Sequence, residues 1–169
     1  MCKSALADEK FTHGYKNTVK LGDVDVNSVD ALFFAGGSGT MWDFPQSRDV
    51  QEKVREAHES GKVVGAVCHG PVALTDVKLS NGKYLVEGKK VAGFSDSEEE
   101  QLEKMLQIDK YISDVLPFKL ETRLRERGGV YSSGPDWQEH VQSDSKIVTG
   151  QNPASSRLAA LKVLELLDL

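Results

Sequence analysis

The stretch Val63-Val64-Gly65-Ala66-Val67-Cys68-His69-Gly70-Pro71 decides how the chain folds. Four apolar residues around one glycine, with no polar alternation, read as a short strand buried on both faces, as in the middle of a parallel sheet. The run stops at Cys68. His69-Gly70-Pro71 then turns the chain, and Pro71 suits the first turn of a helix, where its missing N–H is no loss. Cys68 is thereby placed on a strand-to-helix elbow, at the carboxyl end of a sheet and beside helix-start N–H groups that favour negative charge. A thiol in that setting is expected to be partly thiolate, the nucleophilic form. A cysteine ending a buried strand can also be a plain small hydrophobe. The adjacent His-Gly-Pro favours chemistry, because glycine and proline make a turn rather than continue packing, and a histidine at the tip of a sheet can carry a proton.

On the amino-terminal side, Asp30-Ala31-Leu32-Phe33-Phe34 reads as a second buried strand, running into Ala35-Gly36-Gly37-Ser38-Gly39-Thr40. Three glycines after a strand allow close backbone approach to a ligand, which makes this loop a candidate oxyanion cradle. It lacks the Lys-Ser/Thr ending of a phosphate loop. A helix is expected near 49–60, with Val50, Val54 and Ala57 on one face and Gly61 just past its end. Residues 1 to about 28 are polar; only Thr18-Val19-Lys20-Leu21 resembles a strand, so this part reads as an irregular or partly paired lead-in.

On the carboxyl-terminal side, Asn81-Gly82 and Glu87-Gly88 punctuate strand-like pieces around 84–86 and 91–94, read as a hairpin. In Gly93-Phe94-Ser95-Asp96-Ser97-Glu98-Glu99-Glu100 a strand ends and an acidic cluster begins. Ser97 resembles a helix cap there, and the acids either complement the helix dipole or include one that orients His69. A helix over about 115–127 carries Leu116, Leu120 and Leu124, and ends at Gly128-Gly129. Tyr131, Asp136 and Trp137 fall in the loop beyond. Ile147-Val148-Thr149 reads as a strand, followed by Gly150 to Ser156 and a closing helix with Leu158, Leu161 and Leu164 to Leu167 expected on its buried face.

Strands alternating with helices make the chain α/β with a mainly parallel sheet, whose ligands sit at the strands' carboxyl ends. Its 169 residues suit one domain, and a net charge of −5 with 28% charged residues describes an acidic chain without a basic patch for nucleic acid. No apolar run of membrane-spanning length and no charged-then-apolar leader is present, so the expected compartment is the cytoplasm. Two cysteines, Cys2 and Cys68, make no disulfide framework. His13, His58 and His140 have no metal-ligand spacing with either, so no metal is assigned.

FFAGGSG, GKVVGAVCHGPVAL, GKKVAGFSDSEEE, LPFKLETRLRERGG, DWQEHV and IVTGQNPASS follow one another from residue 33 to residue 156. In that order they resemble the PfpI superfamily, the class I glutamine-amidotransferase-like proteins of parkinsonism-deglycase type, and within it the heat-inducible glyoxalase III branch. The resemblance implies one three-layer flavodoxin-like domain over residues 1–169 and glutathione-independent conversion of methylglyoxal, a small 2-oxoaldehyde, to D-lactate without a cofactor. It makes Cys68 the nucleophile, His69 the base and Glu99 the acid that orients it. The amides of Gly37 and His69 would form the oxyanion hole, with Gly36, Ser38 and Trp137 around the substrate. A stress chaperone or redox-responsive protein, and a cysteine peptidase or amidase, are the alternative activities. Ser38 stands where the family usually has histidine. Residues 1 to 17 match neither the first strands of the family nor its active-site glutamate, so the sheet is expected to be short of strands, to associate with a second copy or with another chain that supplies them, and to be a weak catalyst alone.

Overall fold

The computed structural model describes residues 3–106 and 115–169; Cys2 lies outside the described residues. Its main sheet has four strands in the order β1 (Ala31–Phe34), β2 (Val63–Val67), β6 (Ile147–Gly150) and β5 (Val141–Asp144). The first three are parallel and β5 runs antiparallel to β6. Every residue of β2 is buried, as the unalternating apolar run predicts. Its side chains separate by parity into two cores. Val64 and Ala66 join Leu32, Phe34, Val50, Val54 and Ile147 on one face. Val63 joins Val148, Ala159 and Val163 on the other. Helix α4 (Arg48–Glu59) and helix α8 (Ser156–Leu166) supply those two outer layers, giving the expected three-layer arrangement.

Helix α4 starts where the Ser47 hydroxyl accepts the Val50 N–H at 3.3 Å, and Val50, Val54 and Ala57 are its buried residues, as their spacing predicts. The closing helix differs from its reading. Ala159 and Val163 face the sheet, whereas Leu161 and Leu164 are each 43% exposed. On a helix Ala159, Val163 and Leu167 follow one stripe, from which Leu161 and Leu164 point away. Small residues on that stripe let the helix lie close to β2 and β6.

Three further expectations are corrected. The lead-in forms helices α1 (Lys3–Ala7) and α2 (Glu9–Lys16) and two short 3-10 turns, Leu21–Asp23 and Val26–Ser28, and among the described residues Thr18 to Leu21 pairs with no strand. Asp8 caps α2 by accepting the Phe11 N–H at 2.8 Å, a start signal stronger than the four-residue strand pattern. The hairpin does not form. Asn81-Gly82 turns the chain within a loop closed by the isolated bridge between Lys78 and Tyr84, and β3 (Lys90–Val91) pairs in parallel with β4 (Val130–Tyr131) instead. Helix α7 spans Leu120–Glu126, because Pro117 disfavours helical backbone at Leu116 before it and Lys119 is extended. Leu116, Leu120 and Leu124 are all buried nonetheless. Strand β1 is an outer strand of the sheet, and its Phe33 is 43% exposed.

Candidate active site

Cys68 follows the last residue of β2 in a left-handed conformation, φ 62°. A non-glycine residue held there stores strain, typically about 1–3 kcal/mol, which the surrounding bonds must impose. They do so on both sides. The Cys68 N–H donates to Gly150 O at 2.9 Å and its carbonyl accepts the Phe94 N–H at 2.9 Å, while the Gly70 N–H closes the turn onto Val67 O at 2.8 Å. Two glycines make the elbow fit. A Cβ on Gly70 would lie 2.2 Å from Phe34 O, and one on Gly36 would lie 2.7 Å from the Cys68 Cβ and 2.9 Å from the His69 amide nitrogen. The glycine-rich loop therefore runs directly against the elbow, as a cradle must.

His69 is 2% exposed, with Nδ1 3.6 Å from Cys68 Sγ and Nε2 2.8 Å from Glu99 Oε2. Burial pulls the imidazole down. The hydrogen bonds and negative charge of Cys68 and Glu99 outweigh it, and His69 is pushed up to about 9. The ring is thus an imidazolium at neutral pH. Nε2–H then donates to Glu99 and Nδ1–H faces the sulfur.

Glu99 lies in the first turn of α6 (Asp96–Leu106), and the three neighbouring acids there have three fates. Glu100 is paired at the surface with Lys119 at 3.6 Å. Glu99 meets His69. Glu98, fully buried, accepts from the Trp137 N–H and from Asn152 Nδ2, both at 2.7 Å. The helix cap is Ser95, not Ser97: the Ser95 hydroxyl accepts the Glu98 N–H at 3.1 Å, while Ser97 donates to Asp136 Oδ1 at 2.6 Å.

Gly37 has φ 119°, and its carbonyl accepts both the N–H and the hydroxyl of Thr40 as the loop enters α3 (Thr40–Asp43). Among the described residues the amides of Gly37 and His69 donate to no backbone carbonyl. Ser38 is half-buried in the same turn. Trp137 stands one ring away from the histidine. Its indole meets Phe94 edge-on at 5.7 Å, and Phe94 in turn packs on the His69 ring at 4.4 Å. Phe94, Glu98 and Asn152 are the site residues that the sequence reading missed. The Ser95-x-x-Glu98 spacing and the Asn152-Pro153 pair, two helix-start patterns, were the available signals. Among the described residues no three His, Cys, Asp or Glu side chains cluster to hold a metal ion.

The sequence profile of the DJ-1/PfpI family matches residues 7–166. A protein of Schizosaccharomyces pombe named probable glutathione-independent glyoxalase hsp3104 is 34% identical over 98% of this chain and 74% of its own length. Among solved structures, the Rapid Encystment Protein 24 KDa of Francisella tularensis superposes with a TM-score of 0.87 at 42% identity, over 98% of this chain and 70% of that one. Glyoxalase III from Candida albicans superposes with a TM-score of 0.84 at 29% identity, over 97% and 69%. Across the curated relatives at 28–34% identity, the chain spans 60–74% of their own length.

Proposed function

The chain belongs to the DJ-1/PfpI family, and on that premise we propose that it is a glutathione-independent glyoxalase that turns methylglyoxal into D-lactate with Cys68 as nucleophile. The observation that carries this reading is the line from Cys68 Sγ through the His69 ring to Glu99, at the carboxyl ends of β1 and β2 and against a glycine-rich loop. Relatives named as glyoxalases support the choice of reaction.

The charge state of His69 orders the proton transfers. The thiolate of Cys68 adds to the aldehyde carbon of methylglyoxal, forming the C–S bond and an alkoxide. The His69 imidazolium gives its Nδ1 proton to that oxygen. Now neutral, the ring takes the hydrogen on C1 as a proton and the electron pair forms an enediolate; the hydroxyl proton on the C1 oxygen passes to the C2 oxygen, and the ring's proton is delivered to C2 to give a lactoyl thioester. Water cleaves the thioester to lactate and restores the thiolate. The sum is methylglyoxal plus water to lactate, with no external oxidant or reductant. Glu99 keeps the ring oriented and stabilises its charge. The Gly37 and His69 amides are assigned to the developing oxyanion, and Gly36, Ser38 and Trp137 to the walls around it; one lost donor of this kind typically costs about 3–4 kcal/mol in the barrier.

The reaction needs Cys68 as a free thiol, which supports a reducing compartment such as the cytoplasm. Among the described residues β1 pairs with β2 alone, and this edge, with Phe33 exposed, supports association there with a second copy or with another chain that adds strands. The test is to incubate the purified chain with methylglyoxal in the absence of glutathione and to measure lactate with D- and L-specific dehydrogenases. D-lactate that forms with the wild type and not with Cys68→Ala is the expected result; lactate at background, or a rate that survives Cys68→Ala, refutes the reading.

A further inference from the structure

We infer that Glu98, the sequence neighbour of Glu99, is a positioning residue that sets the His69 ring through Trp137 and Phe94 without touching the reacting atoms. Its two carboxylate oxygens do different things. Oε2 faces the N–H and hydroxyl of Ser95, each at 3.3 Å, which with the Ser95 cap on the Glu98 N–H is a capping box and a local matter. Oε1 accepts two short bonds from distant chain, 2.7 Å from the Trp137 N–H and 2.7 Å from Asn152 Nδ2. Asn152 Nδ2 also donates to Gln138 O at 2.7 Å. One oxygen thus ties the loop after β4 and the loop after β6 to the start of α6.

The consequence reaches the histidine by contact. Trp137, held at φ 59°, is fixed at its other end by the indole N–H donating to Gln101 Oε1 at 2.7 Å. Its edge presses on Phe94, and Phe94 lies against the His69 ring. Two adjacent acids therefore hold one imidazole along two routes: Glu99 at Nε2, and Glu98 through two aromatic rings at the ring face. Among the described residues no lysine or arginine pairs with Glu98. Its buried carboxyl group is met by the Trp137 and Asn152 donors, so those donors are anchored as firmly as the carboxyl group itself.

This inference uses the glyoxalase reading only for its effect on turnover; the thiol and the indole report it directly. With Trp42→Phe as background, Trp137 is the sole tryptophan. Glu98→Ala, Glu98→Gln, Trp137→Ala and the double variant Glu98→Ala with Trp137→Ala are compared by three measurements. These are the acrylamide quenching of Trp137, the rate of iodoacetamide labelling of Cys68 at pH 7 relative to pH 10 by peptide mapping, and lactate formation. Glu98→Ala should expose Trp137 to quencher. It and Trp137→Ala should each lower the labelling ratio roughly three- to tenfold, with no further loss in the double variant, since residues acting as one unit are non-additive. Glu98→Gln keeps an acceptor for Trp137 and Asn152 and should stay within about twofold of the parent. A merely structural role lowers thermal stability and leaves quenching and ratio alone. Additive losses, or an unchanged ratio in Trp137→Ala, overturn the inference even if Glu98→Ala fails to fold. A parent that makes no lactate while the thiol results hold defeats the glyoxalase reading and leaves this one standing.

Discussion

Glu99 Oε2 stands 2.8 Å from Nε2 of His69, thirty positions earlier in the chain, and the opposite nitrogen of that ring faces Cys68 Sγ. A carboxylate on one side of an imidazole and a sulfur on the other fix both its orientation and its charge.

The first prediction tests that contact. Glu99→Gln removes the carboxylate and leaves a group of similar shape, so the His69 titration, followed by NMR of the ring protons, should move down from about 9. Lactate formation should fall by roughly 10²-fold or more, the scale of positioned acid–base catalysis. Glu100→Gln, at the surface beside Lys119, should leave both unchanged. A His69 titration that stays in place would remove Glu99 from the site.

The second concerns stability against pH. His69 binds its proton more tightly folded, near 9, than unfolded, near 6.5. A raised histidine stabilises fully below about 6.5 and loses that contribution as pH rises through about 9. The shift corresponds to about 3 kcal/mol. Urea denaturation of wild type and His69→Asn should therefore differ most below pH 6.5, with the gap shrinking as pH climbs to 9.5. A gap that widens with pH would reverse the sign and refute the imidazolium.

The third separates two glycines of neighbouring turns. Gly70→Ala drives a methyl to 2.2 Å from Phe34 O, where backbone must shift, and should cost more than about 3 kcal/mol. A Cβ on Gly37 meets nothing within 4 Å, so Gly37→Ala bears only the strain of φ 119°, about 1–3 kcal/mol. Chemical denaturation of the two variants gives the order. Equal losses would mean that β1 and β2 are not packed as closely at the elbow as described.

Much of this site was legible in sequence for a physical reason. The run from Val63 to Val67, the elbow at Cys68 and the Val50, Val54, Ala57 stripe are local patterns, and each maps onto the element it predicted. Glu99 came from resemblance, since nothing in Glu98-Glu99-Glu100 says which acid points where. The residues left unseen depend on long-range partners. Phe94 on His69, and Glu98 on Trp137 and Asn152, exist only once three strand ends meet. The hairpin failed likewise: Asn81-Gly82 is a real turn signal, but β3 found β4 rather than its sequence neighbour. The closing helix misled because Leu161 and Leu164 are on the exposed side of a stripe set by Ala159, Val163 and Leu167.

The last prediction follows from the conformation of Cys68 itself. At φ 62° a side chain crowds its own backbone, and the left-handed region costs an L-residue about 1–2 kcal/mol that glycine avoids. Removing the thiol in two ways isolates this strain. Cys68→Ala and Cys68→Gly both abolish nucleophilic chemistry and both vacate the sulfur's place beside His69. They differ in the Cβ. Cys68→Gly should therefore be the more stable of the two by roughly 1 kcal/mol, less the greater backbone entropy glycine brings to the unfolded chain. The sign is the test, because in an unstrained strand end alanine would win by about 0.5–1 kcal/mol. If Cys68→Ala unfolds at the higher denaturant concentration, the elbow holds no strain at the nucleophile, and the bonds from Gly150 and Phe94 are not forcing it there.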